Sequence, residues 1–141
     1  MDVQEELKTS LLKLQGLEFI YEKRLFPELE YIFKHAVTQE VAYNSLLRRK
    51  RREIHENIGN ALERIYQEKL DEFVEIIAHH YAQSDNHEKS THYLILAGDR
   101  AMRNNSGWEA FGFYKEALKA LHKLPGTGQN KKNYNWKSCT K

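Results

Sequence analysis

Residues 31–58 read YIFKHAVTQEVAYNSLLRRKRREIHENI, and an alternating run passes here into a helical stripe with no glycine or proline between them. Tyr31 and Phe33 stand two apart within Glu30 to Lys34, the period of a half-buried strand. Thr38 can cap a helix through its hydroxyl. Beyond it Val41, Ala42, Leu46, Leu47, Ile54, Ile58, Ala61, Leu62 and Ile65 hold a helical stripe to about Gln67. The change of period predicts a strand ending near His35 and one long helix over 38–67. Gly59 lies inside that helix and costs about 1 kcal/mol relative to alanine, which predicts a close helix contact or a bend there.

Upstream, Asp2 and Glu5 have capping-box spacing, and Leu7, Leu11, Leu12 and Leu14 follow at helical intervals. They predict a helix over 3–15, with Gly16 as its left-handed C-cap. From Leu17 the period is two: Leu17, Phe19, Tyr21 and Lys23 alternate with Glu18, Ile20, Glu22 and Arg24. Phe26-Pro27-Glu28 can turn the chain, giving a β-hairpin over 17–25 and 30–34.

Downstream, Asp71 opens a helix carrying Val74, Ile77, Ala78 and Tyr81, and after Ser84-Asp85-Asn86 a second carries Leu94, Ala97 and Ala101. Ser106 and Glu109 form another capping-box spacing before a helix with Ala110, Phe111, Tyr114, Ala117, Leu118 and Leu121. Pro125-Gly126 ends it, and the polar, aperiodic 125–141 is expected to be disordered. Gly98, Ala110, Tyr114 and Ala117 sit at the offsets of small and aromatic packing positions in tetratricopeptide repeats. Ala78, Ser90, Leu94 and Ala97 match an overlapping register less fully. Because the registers share one helix, a three-helix repeat-like array is expected, with Tyr81 among its packing residues.

With 141 residues, 40% hydrophobic and 30% charged, the chain is the size of an ordinary domain, and its net charge of +2 excludes a globally basic nucleic-acid coat. No apolar run approaches the ~20 residues of a membrane helix, and MDVQEELKTS lacks the pattern of a signal peptide. The lone Cys139 cannot form an internal disulfide. Together these predict a cytoplasmic protein with no membrane association.

The run Arg48-Arg49-Lys50-Arg51-Arg52 could contact phosphates. Five successive residues spray around a helix axis, however, and Glu53 and Glu56 stand close enough to pair, so the solvated side of a helix is the better reading. The helix–hairpin–helix order of 3–67 suggests part of a winged helix. The helix that would enter a DNA groove carries Asp2, Glu5 and Glu6 against Lys8 and Lys13, which argues against DNA. Adjacent His79 and His80 point about 100° apart on a helix, and His87 and His92 lack a partner ligand, so no metal site is expected. No catalytic motif is present: there is no nucleophile elbow, no H-E-x-x-H and no phosphate loop. No cofactor is expected and the chain reads as a non-enzyme. His35 stands at the strand-to-helix junction, where backbone hydrogen bonding is its plainest role.

The runs YIFKHAVTQEVAYNSLLRRKRREIHENIGNALERIY and EIIAHHYAQSDNHEKSTHYLILAGDRAMRNNSGWEAFGFYKEALKAL resemble a segment of STAND-type multidomain signalling ATPases. The similarity is greatest to those fused to class III adenylate/guanylate cyclases or to transcriptional regulators, and it covers most of 17–121. The resemblance implies a winged helix that packs on an ATPase domain, followed by a tetratricopeptide-like arm. It also aligns Lys34, His35 and Ala36 with a Met-His-Asp motif whose histidine approaches bound nucleotide. His35 matches, whereas Lys34 and Ala36 depart. The phosphate loop, ATPase and cyclase domains are not in this sequence, so a fragment is expected, with apolar faces on 3–15 and the hairpin exposed or covered by a partner.

The fold expected is mainly α with one β-hairpin: a partial winged helix over 1–67 and tetratricopeptide-like helices over 71–122. The function expected is non-catalytic, coupling an upstream ATPase or cyclase domain, or another protein partner, to a helical arm through the helix 38–67. The alternatives are a small DNA-binding regulator using Arg48–Arg52 and a free-standing peptide-binding scaffold.

Overall fold

The computed structural model describes the backbone of residues 2–25 and 28–126. It is mainly helical with one small antiparallel hairpin, and it falls into two compact units, Met1–Leu47 and Arg48–Lys141. The turn expected at Phe26-Pro27 and the segment 127–141 expected to be disordered, with Cys139, fall on residues outside those described.

The first unit holds α1 (Val3–Gly16), β1 (Ile20–Leu25), β2 (Glu28–Phe33) and α2 (Ala36–Ser45). Asp2 caps α1, its carboxylate accepting from the Gln4 N–H at 3.4 Å rather than from that of Glu5. The C-terminal stop differs from the expectation, because Gly16 is helical and Glu18 takes the left-handed conformation at φ 59°. Phe19 N–H reaches the Leu14 carbonyl and Glu18 N–H the Gln15 carbonyl, both at 3.0 Å, which is a Schellman ending. These two bonds satisfy carbonyls that would otherwise be orphaned, so the chain bears a strained non-glycine there. The strands pair Ile20 with Phe33 through Leu25 with Glu28, shorter at the start and longer at the turn than predicted. Of the two alternating sets, that of Ile20 reaches the interior: Ile20 is 6% exposed, whereas Phe19 and Tyr21 are 44% and 49% exposed.

The predicted helix 38–67 is two helices. Its first part starts two residues early, with extended His35 at the N-cap position, so Thr38 falls inside the first turn of α2. α2 then ends at Ser45, whose hydroxyl donates to the Ala42 carbonyl at 2.7 Å while Leu46 turns extended (ψ 139°). Helix α3 (Arg48–Ile65) begins after Leu47, inside the second unit.

The second unit continues with a 3₁₀ turn at Gln67–Lys69, then α4 (Leu70–Ala82), α5 (His87–Arg103) and α6 (Gly107–His122). Short connections make successive helices antiparallel. Arg52 of α3 meets Asp85 just beyond α4, and His55 meets His80 across α3 and α4; Arg103 meets Asp71 and Arg100 meets Glu75 across α4 and α5. Helix α4 starts one residue before Asp71, from Lys69. Ser106 precedes α6 without the side-chain cap expected of it. Its N–H is held by the Ala101 carbonyl at 2.8 Å in a second Schellman ending, with Asn105 at φ 59°, and its conformation follows from that bond. The core joins Val74, Ile77, Ala78 and Tyr81 of α4 to Tyr93, Leu94 and Ala97 of α5 and to Ala117 and Ala120 of α6.

Candidate functional site

Two glycines bring these helices together. A Cβ on Gly59 of α3 would stand 2.9 Å from the ring of Tyr81 on α4, and one on Gly98 of α5 would stand 2.5 Å from the ring of Tyr114 on α6. In both pairs the residue after the glycine accepts from the tyrosine hydroxyl: Asn60 from Tyr81 at 2.9 Å, Asp99 from Tyr114 at 2.6 Å. The same lock thus closes α3 on α4 and α5 on α6. Of the expected packing residues, Ala78, Tyr81, Leu94, Ala97, Gly98, Ala110 and Ala117 are buried and Tyr114 is half-buried. Four helices take part rather than three, because α3 belongs to the array. The close helix contact expected at Gly59 is therefore present, with Tyr81 as its partner, whereas Asn60 carried no sequence signal for its part in the lock.

Lys89 of α5 stands over the Tyr81 ring, its Nζ 5.1 Å from the centroid. It donates to Glu63 at 2.6 Å, to Asn60 at 3.0 Å and to the Tyr81 hydroxyl at 3.1 Å. Burial works against the Glu63 charge, but hydrogen bonds from Lys89, Tyr93 and Tyr81 outweigh it and hold the carboxyl below its ordinary value. The hydrogen bond to Glu63 raises Lys89 against its partial burial. A lysine held protonated in this way is a clamp rather than a nucleophile, which needs the opposite shift.

The expected basic patch occupies the start of α3, with no acidic residue in its first turn. Arg49 and Lys50 both reach Glu53, at 3.3 and 3.4 Å, and Arg52 reaches Asp85 at 2.9 Å. Arg48 is exposed and Arg51 partly buried, so the five cations point several ways. His35 is exposed, and among the described residues its side chain makes no cap to α2, only its carbonyl accepting from the Gln39 N–H at 3.3 Å.

Another histidine joins the pair at 79 and 80. His55 of α3 and His80 of α4 place their Nδ1 atoms 2.9 Å apart, and the His79 ring lies edge-on to both. One Nδ1 must donate and the other accept, so the contact requires at least one neutral ring. Burial, then the charges of His55 and His79, lower His80 to about 4, and burial followed by His79 lowers His55. Among the described residues, no three His, Cys, Asp or Glu side chains gather where they could hold a metal ion.

Two concavities are also present, the first lined in part by His79 of the histidine cluster. A groove of about 610 Å³ runs over Leu94 of α5, between Ala82 and Gln83 at the end of α4 and Trp108 and Phe111 of α6. Trp108 and Phe111 stack with centroids 6.1 Å apart while 85% and 59% exposed. In the first unit, Leu14, Phe19, Phe33, Val37 and Val41 line an apolar groove of about 520 Å³. Among the described residues, no helix is long and apolar enough to cross a membrane.

No protein-family model, curated protein or solved structure matches this chain.

Proposed function

We propose that the chain is a non-catalytic protein-interaction segment of a STAND-type signalling ATPase or related adenylate/guanylate cyclase, and that α6 carries its docking face. The observation behind this reading is the stacked pair Trp108 and Phe111, which leaves large aromatic surface in water beside a groove. Aromatic side chains dominate interface energetics when buried, and such surface is seldom left bare without a partner. The clustered titratable groups support a non-catalytic role: Lys89 and Glu63 neutralise one another, and His55 and His80 occupy each other's Nδ1. In this reading α1, the hairpin and α2 are a partial winged helix, and α3 to α6 a tetratricopeptide-like arm. The chain passes from one part to the other at the Leu46–Leu47 break, so any coupling runs through that joint rather than along one rigid helix. His35 would face a nucleotide phosphate only with an ATPase domain present.

A photo-crosslinking residue at position 108 of the full chain, in its native cell, should give a discrete protein adduct. The same residue at Glu88, on exposed surface of α5, should not. Equal labelling from both positions would remove the docking face. ATP hydrolysis or cyclic-nucleotide synthesis by the purified chain would overturn the non-catalytic assignment.

A further inference from the structure

The two glycine–tyrosine locks give the second unit an internal correspondence. Superposing the tyrosines matches Tyr81 of α4 with Tyr114 of α6, so Glu75 corresponds to Trp108 and Ala78 to Phe111. On α4 these positions are where α5 packs. Glu75 pairs with Arg100 at 3.2 Å, Ala78 is fully buried in the core with Leu94 and Ala97, and Tyr81 stacks on Tyr93 at 5.4 Å. On α6 the same face bears Trp108, Phe111 and Leu118, 85%, 59% and 56% exposed. The tyrosines report the difference directly: Tyr81, covered on both sides, is 0% exposed, whereas Tyr114 is only half-buried.

Resting on the docking reading above, we infer that this face of α6 takes an antiparallel α-helix from a partner protein, seated as α5 is seated on α4. The partner's chemistry follows from size. Phe111 replaces Ala78, so a helix at the usual 8–10 Å spacing must offer small residues opposite it. The α5 seam of Ser90, Leu94, Ala97 and Ala101, spaced i, i+4, i+7 and i+11, is the pattern required. Three occupants nearer to hand do not offer it. The α5 seam is buried within its own unit, a second copy's α6 would set bulk against bulk, and residues 127–141 contain no alanine or leucine.

The test uses the full chain carrying Trp136→Phe, so that Trp108 alone reports, titrated with a synthetic peptide of residues 86–103. The emission of Trp108 should move to shorter wavelength and saturate. Phe111→Glu in the chain and Ala97→Leu in the peptide should each weaken binding about tenfold, the loss expected for one large apolar contact. Phe111 is exposed, so unchanged circular dichroism will show that its variant still folds. No saturable shift, or one indifferent to both substitutions, would overturn the helix assignment. So would concentration-dependent dimerisation abolished by Phe111→Glu, which would make the occupant a second copy. If crosslinking from position 108 succeeds while the peptide fails, α6 remains a docking face and only the helical partner falls.

Discussion

Gly59 and Gly98 meet the same steric demand with unequal freedom around them. The clash from an added methyl is shorter at Gly98, 2.5 Å against 2.9 Å, yet Tyr114 can shift outward, where no described residue covers it. Tyr81 is pinned between α3 and Tyr93 of α5. Overpacking costs about 1–3 kcal/mol and alanine returns about 1 kcal/mol of helix propensity. Gly59→Ala should therefore destabilise the protein by about 1–2 kcal/mol and Gly98→Ala by less, as read by urea denaturation, reversing the order of the two distances. A second prediction concerns His80, lowered to about 4 by burial and then by its neighbours. Below its ordinary value near 6.5 the unfolded chain binds a proton that the folded chain refuses, so stability falls as pH drops from 7 toward 4. After allowance for solvent screening, His80 should contribute about 1–2 kcal/mol of the loss between pH 7 and pH 5. His80→Gln should flatten that part of the profile in thermal melts.

Among the elements, α3 begins against its own electrostatics. Arginine and lysine fill its first turn, where the helix dipole favours acids, and Glu53 and Asp85 offset only part of the repulsion. Arg48→Glu should stabilise the protein by about 0.3–1 kcal/mol at low salt, with the gain shrinking as salt screens it. The same geometry predicts weak DNA retention. A steep salt-dependent mobility shift lost on changing Arg48–Arg52 to glutamine would instead favour the nucleic-acid reading. The break before α3 has a local cause in Ser45, but apolar periodicity continues across it through Leu46 and Leu47. A stripe of leucines therefore looked continuous although the backbone is not.

Across the whole molecule, burial is uneven. In the first unit Ile20 is the one buried residue among those whose burial is described, whereas the second unit closes a core over four helices. Amide exchange in the full chain should be slowest in α4 and α5 and faster throughout α1 and α2, since local opening follows buried apolar contact. Equal protection in both units would contradict this distribution.

Much of the architecture was legible in order and type. The helices from Val3, Leu70, His87 and Gly107 and the hairpin follow from periodicity and caps within a few residues of one another, and such signals are local. Amino-acid sequence by itself determined that the chain is mainly helical with one hairpin, because hydrophobic period and turn chemistry act over one or two turns. Tertiary structure alone decided that α3 joins the second unit, that Gly59 seats Tyr81 and that His55 meets His80. These contacts join residues more than twenty positions apart, and no local period encodes which helix faces reach contact distance. It decided, too, that Trp108 and Phe111 lie in water, since an apolar stripe reads the same whether or not another helix covers it.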